Sequence, residues 1–117
     1  MQAGRSKLQA ELARVAAEPG RAAAAAQTAL GNGLVGDRLR AAILALARYR
    51  APAGSICPSD AARAVGGDDW RELTAQSRTI ARALARAGDV EILQRGVVVD
   101  PEQNWRGPIR IRAVGAS

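Results

Sequence analysis

The apolar pattern of this chain changes period once, at Gly88, and that change constrains the fold more than any other feature. Upstream, apolar residues recur every three or four positions, the signature of helices that bury one face. Downstream, Val90 and Ile92 alternate with their neighbours, and Ile109 and Ile111 alternate with Arg110 and Arg112. Alternation at period two is the pattern of a half-buried strand. Helices followed by a short hairpin predict an α+β domain.

The helical part reads in three pieces. Asp37 opens a helix running to about Tyr49, with Leu39, Ile43, Leu44 and Leu46 on a broad apolar face. Ala51-Pro52-Ala53-Gly54 is a loop, and Ser55-Ile56 reads as a very short strand. Pro58 suits the first position of a second helix, Asp60 lies in its first turn, and Gly66-Gly67 ends it. The third helix spans Asp68-Asp69 to Gly88. Trp70, Leu73, Ser77, Ile80, Ala81 and Leu84 fall on its inner face, so Trp70 is expected in the core. Arg71, Arg78, Arg82 and Arg86 fall on another face, within roughly 80° of arc at 100° per residue.

After Gly88 the reading is a strand from Val90, a turn or the base of a longer hairpin at Arg95-Gly96, a β-prone run Val97–Val99, and a break at Asp100-Pro101. Residues 101–107 form a polar loop, and a last strand runs near Pro108 to Arg112. The order helix, brief strand, helix, helix, strand, long loop, strand predicts a winged helix-turn-helix: a three-helix core with a C-terminal β-hairpin wing. The wing tip is expected to hold Gln103, Asn104, Trp105 and Arg106, with Trp105 either folded back over the hairpin or exposed. The domain is expected over residues 36–113, with 114–117 as a tail.

Residues 1–35 form a different region, expected as a helical N-terminal extension. Leu8, Leu12 and Val15 fit a helix from about Ser6 to Glu18, ended by Pro19-Gly20, and Ala22 to Ala26 is a pure alanine run before Gly31-Asn32-Gly33. Alanine favours helix but buries little area. Two readings stand: a frayed or loosely docked extension, or a helix that completes the core or forms a dimer seam.

The final two-thirds resembles a bacterial family of unknown function, DUF3253. The resemblance rests on Ser55-Ile56-Cys57-Pro58-Ser59-Asp60 with Ala62-Arg63, then Asp69-Trp70-Arg71, then Arg78, Ala81 and Leu84. It ends with Gln94 and Gly96, Val99-Asp100-Pro101 and Arg106-Gly107-Pro108-Ile109-Arg110, covering roughly residues 38–112. It implies a compact winged-helix domain, and implies no activity, substrate or site.

Composition narrows the function classes. The chain has no His, which removes the commonest general base and metal ligand. Cys57 is the single cysteine, with no base placed to activate it, and reads as a small core thiol. No phosphate-binding loop or dinucleotide-binding glycine pattern is present. No enzyme activity, cofactor or metal is therefore expected. The N-terminus lacks the apolar run of a signal peptide, and a lone cysteine fits a reducing compartment, so a cytoplasmic protein away from membranes is expected.

The net charge of +6 comes from 17 basic and 11 acidic residues, and Lys7 is the only lysine. Arginine's planar fork suits phosphate. The candidate nucleic-acid-binding residues are therefore Arg71, Arg78, Arg82 and Arg86 on the third helix, Arg106 on the wing, and Arg110 and Arg112 on the last strand. The expectation is duplex DNA held by the third helix and the wing. Asp68, Asp69 and Glu72 at the start of the same helix oppose it, and Arg78 is within reach of Glu72 or Asp69, and Arg110 of Glu91. The alternative is a protein-interaction or homodimerisation module. Replacing Arg78 and Arg82 together is expected to weaken DNA binding and leave the fold intact.

Overall fold

In the computed structural model, residues 7–20 and 22–114 are described. Five α-helices precede three strands: α1 (Lys7–Ala17), α2 (Ala23–Leu30), α3 (Val35–Arg50), α4 (Pro58–Gly66), α5 (Thr74–Arg86), β1 (Val90–Gln94), β2 (Val97–Val99) and β3 (Arg110–Ala113). A 3-10 segment, Gly67–Leu73, joins α4 to α5.

Helix α3 is the axis of the fold. Asp37 in its first turn and Arg48 and Arg50 in its last complement the helix dipole. Leu39 and every residue from Ala41 to Ala47 are buried. A helix buried all round needs neighbours on all sides. The segment from α4 onward covers one side, and α1 and α2 cover the other. Leu8, Leu12 and Val15 of α1 and Ala26 and Ala29 of α2 belong to the same apolar cluster as Leu39 and Ile43. The alanines that bury little area one by one let α2 lie close against α3.

The sheet is antiparallel with order β2-β1-β3. Ile56 adds a one-residue bridge to Ile111, with N–H to O=C distances of 2.9 and 2.7 Å in the two directions. Ile56, Ile92, Ile109 and Ile111 are sealed from solvent. Each contributes about 1.5–3 kcal/mol by burial.

The third helix of the sequence reading divides in two. Gly66 and Gly67 end α4, with Gly67 at φ +58°. The chain then winds as a tight 3-10 segment before α5 begins at Thr74. The reason is a close approach: a Cβ on Gly66 would lie 2.8 Å from Leu73 Cδ1, so this turn folds Leu73 directly over the α4 terminus. Asp68 and Asp69 are weak helix formers and allow the tighter winding. Trp70 is consequently not in the core. It is half-buried, with the Arg63 and Arg71 guanidinium carbons 4.3 and 4.5 Å from its ring centroid.

Candidate nucleic-acid interface

The site is built where α5 meets the loop between β2 and β3. Helix α5 exists because Ser77, Ala81 and Leu84 bury one face, with Leu73 and Ile80 packed at its margin. The Ser77 hydroxyl is satisfied by the Leu73 carbonyl at 2.9 Å. Burying that face points Arg78, Arg82 and Arg86 along the side toward the loop.

The loop is not a protruding tip. Asp100 Oδ1 accepts the Glu102 N–H at 2.8 Å, which starts a turn, and the chain folds back until Trp105 is 7% exposed. The Trp105 indole N–H donates to the Asp100 carbonyl at 2.9 Å. Of the two placements left open by the sequence, Trp105 takes the folded-back one, against α5 as well as the hairpin. The Arg82 guanidinium lies over its ring at 4.0 Å and that of Arg78 at 5.8 Å.

Three α5 arginines hold this loop. Arg78 donates to the carbonyls of Gly107 at 3.2 Å and Trp105 at 3.3 Å. It does not pair with Glu72 or Asp69, because the 3-10 segment turns those carboxylates away from α5's register. Arg82 donates to the carbonyls of Pro101 and of Gln103, the latter at 2.8 Å. Arg86 forms a two-pronged ion pair with Glu102, at 2.7 and 2.8 Å. That pair raises the Arg86 pKa and holds the Glu102 carboxyl below its ordinary value, mainly through the side-chain hydrogen bond. Arg78 and Arg82 thus tie the loop to α5, and replacing both removes these bonds.

The remaining candidates separate. Arg71 stands apart from the α5 arginines, stacked on Trp70 in the acidic 3-10 turn with Asp68, Asp69 and Glu72 exposed around it. Arg106 is exposed on the loop, with no ion pair among the described residues. Arg110 donates to Ser55, to Oγ at 3.0 Å and to the carbonyl at 2.8 Å. The expected pairing of Arg110 with Glu91 is instead made by Arg112, at 2.7 Å. The register explains it: Arg112 sits opposite Glu91, and Arg110 opposite Leu93.

Acceptor chemistry therefore sorts five of the seven arginines. Carboxylates neutralise Arg86 and Arg112. Carbonyls or a hydroxyl receive Arg78, Arg82 and Arg110, and a carbonyl accepts a hydrogen bond without cancelling the donor's charge. Two further arginines matter that were not among the candidates. Arg95 holds the first position of the β1–β2 turn at φ +52°. Arg50 binds Glu11 at 2.7 and 3.0 Å and reaches Asp60 at 3.5 Å. Of the two readings open at Arg95-Gly96 in the sequence, the structure takes the turn.

Cys57 precedes α4. Its N–H donates to Asp60 Oδ2 at 3.0 Å, and its thiol lies 3.2 Å from the Ser59 hydroxyl. It is half-buried rather than sealed in the core. Among the described residues no group of His, Cys, Asp and Glu could hold a metal ion, and no helix is long and apolar enough to cross a membrane.

The architecture is that of an α+β domain in which three helices, α3 to α5, and a small antiparallel sheet are compatible with a winged-helix-like arrangement. The chain belongs to the DUF3253 family, described as proteins of unknown function, whose model matches residues 36–114. No curated protein matches the chain.

Proposed function

We propose that this domain binds double-stranded DNA without chemistry, by seating α5 and the wing loop on the phosphate backbone. One observation carries the reading. The bonds from Arg78 and Arg82 to loop carbonyls join helix and wing into one unit, and neither guanidinium is in a direct ion pair among the described residues. Arg106 adds a third charge on the same loop. Preorganised positive charge on a rigid helix–loop unit suits phosphate, whose neutralisation dominates DNA affinity.

The exposed side of α5 refines the proposal. Ala75, Thr79 and Ala83 are exposed at four-residue steps and are small. Small residues permit close approach to a groove but offer few bidentate contacts to base edges. The expected behaviour is phosphate-dominated binding with weak sequence preference. The acidic 3-10 turn would lie away from the duplex, and Arg71 with it.

The test is fluorescence anisotropy on a mixed-sequence duplex across a salt series. Micromolar affinity falling steeply with salt is expected. Arg106→Gln, which removes an exposed group with no ion pair, should weaken binding and lower the salt slope by about one. Negligible binding at low salt overturns the proposal. A protein partner is then the better reading, favoured by the exposed apolar edge of β2, where Val97 and Val98 are 64% and 50% accessible.

A further inference from the structure

Between the β1–β2 turn, the wing loop and β3 lies an open cleft of about 640 Å³. That volume is in the range of small-ligand sites, roughly 300–1,000 Å³. Arg95, Arg106 and Arg110 line it, with Gln94, Asn104 and Trp105, and no Asp or Glu is among its lining residues. None of these three arginines is in an ion pair among the described residues.

The walls are held in place. The Gln94 amide N–H group donates to the carbonyls of Arg106 at 2.8 Å and Pro108 at 3.3 Å, which ties strand β1 to the loop across the cleft. Trp105 is fixed by its bond to Asp100. Arg110 is oriented by Ser55 through Nε and Nη2, which leaves Nη1 outside those bonds. Arg95 occupies a left-handed backbone conformation that Asn or Gly adopts more readily. A costly conformation kept by a charged side chain at a cleft wall is a pointer to use of that side chain.

We infer that this cleft is a binding site for a phosphate group. Three arginines from three separate segments of chain line one space, their like charges repel, and no carboxylate is among the lining residues. A multiply charged anion with several oxygens relieves that repulsion and accepts from more than one fork at once. A tetrahedral phosphate suits donors arriving from a turn, a loop and a strand better than a planar carboxylate does. The source of the phosphate is either a nucleic-acid backbone or a free phosphorylated small molecule. The inference stands on the cleft alone and does not require that duplex DNA binds.

The test is nuclear magnetic resonance on the full chain, following the Trp105 indole N–H and the arginine Nε–H signals. Inorganic pyrophosphate is titrated against sodium chloride at matched ionic strength. Saturable shifts of Trp105, Arg106 and Arg110 are expected, with submillimolar half-saturation. The double variant Arg95→Asn, Arg106→Gln should bind at least tenfold more weakly. Neither residue donates a side-chain hydrogen bond among the described residues, and Asn is at ease in the left-handed turn, so the variant's unfolding midpoint should be no lower. Shifts that stay linear and match chloride overturn the inference, as does undiminished affinity in the folded variant. Adding duplex DNA then separates the sources. Displacement of pyrophosphate assigns the cleft to backbone phosphate. Undisturbed pyrophosphate binding assigns it to a free phosphorylated ligand and leaves the duplex proposal to its own anisotropy test.

Discussion

Two junctions in this molecule are built on arginine, and they use it in opposite ways. Where α1, α3 and α4 meet, Arg50 binds Glu11 through two bonds, adds Asp60 at 3.5 Å and donates to the Ser55 carbonyl at 3.0 Å. Charge is cancelled there, and the Glu11 bond raises the Arg50 pKa further against the opposing effect of burial. Where α5 meets the wing loop, Arg78 and Arg82 grip carbonyls rather than carboxylates, and only Arg86 is in a direct ion pair, with Glu102. The first junction closes the fold. The second shapes a loop through bonds to neutral acceptors. The same side chain serves as internal tie or as outward charge according to its acceptor.

The largest expected effect comes from breaking the first junction. Arg50→Met leaves Glu11 and Asp60, whose side chains are only 14% and 16% exposed, without their cation. Stranding partly buried carboxylates should cost about 2–3 kcal/mol, below the penalty for a fully buried pair because water still reaches them. Chemical denaturation reads the loss, and duplex affinity of the folded variant should not change. A drop in affinity as large as that of a wing variant would erase the distinction between the junctions.

A smaller stability effect but a larger functional one is expected at the second junction. Arg82→Met removes two bonds to loop carbonyls and the contact over Trp105. The freed carbonyls turn to water, so the global cost should be about 1–2 kcal/mol. The loop, however, loses its anchor. Trp105 emission should shift to the red as the indole becomes wetter, and duplex affinity should fall together with the salt slope. An unshifted spectrum with unchanged affinity would show that Arg82 neither holds the wing nor faces phosphate.

The sequence made the order of elements legible because apolar period and Gly and Pro punctuation are local signals. The inward residues Ile109 and Ile111 followed from alternation alone, and both are sealed. What was not legible depends on contacts distant in sequence. The arginine stripe could be drawn on a helical wheel, but its acceptors lie 16 to 29 residues away along the chain, in a loop whose path no periodicity encodes. Trp70 sat at the right spacing for the core and missed it, because Leu73 packing over Gly66 winds the preceding turn more tightly than an α-helix. The place of α1 and α2 followed the same logic: alanine gives no strong stripe, and only the all-round burial of α3 shows that a second layer of helices is needed.

The contrast between cancelled and retained charge can also be sharpened within the wing itself. Arg86 lies one turn beyond Arg82, yet its charge is cancelled by Glu102 on the surface, where both side chains are more than half exposed. Glu102→Gln should therefore convert an internal tie into an outward charge. Duplex affinity should rise, and the salt slope should steepen by about one if Arg86 then meets a phosphate. The stability change should be slight, as for most exposed pairs. Its sign with pH is fixed by the lowered Glu102 pKa. The stability that the carboxylate contributes is present above the ordinary carboxylate range and is lost as pH falls through the lowered folded value. Denaturation at pH 7 should show the native chain marginally more stable than the variant, and at a pH below that folded value the difference should vanish. An unchanged salt slope would place Arg86 outside the phosphate-facing surface and confine that surface to Arg78, Arg82 and the wing.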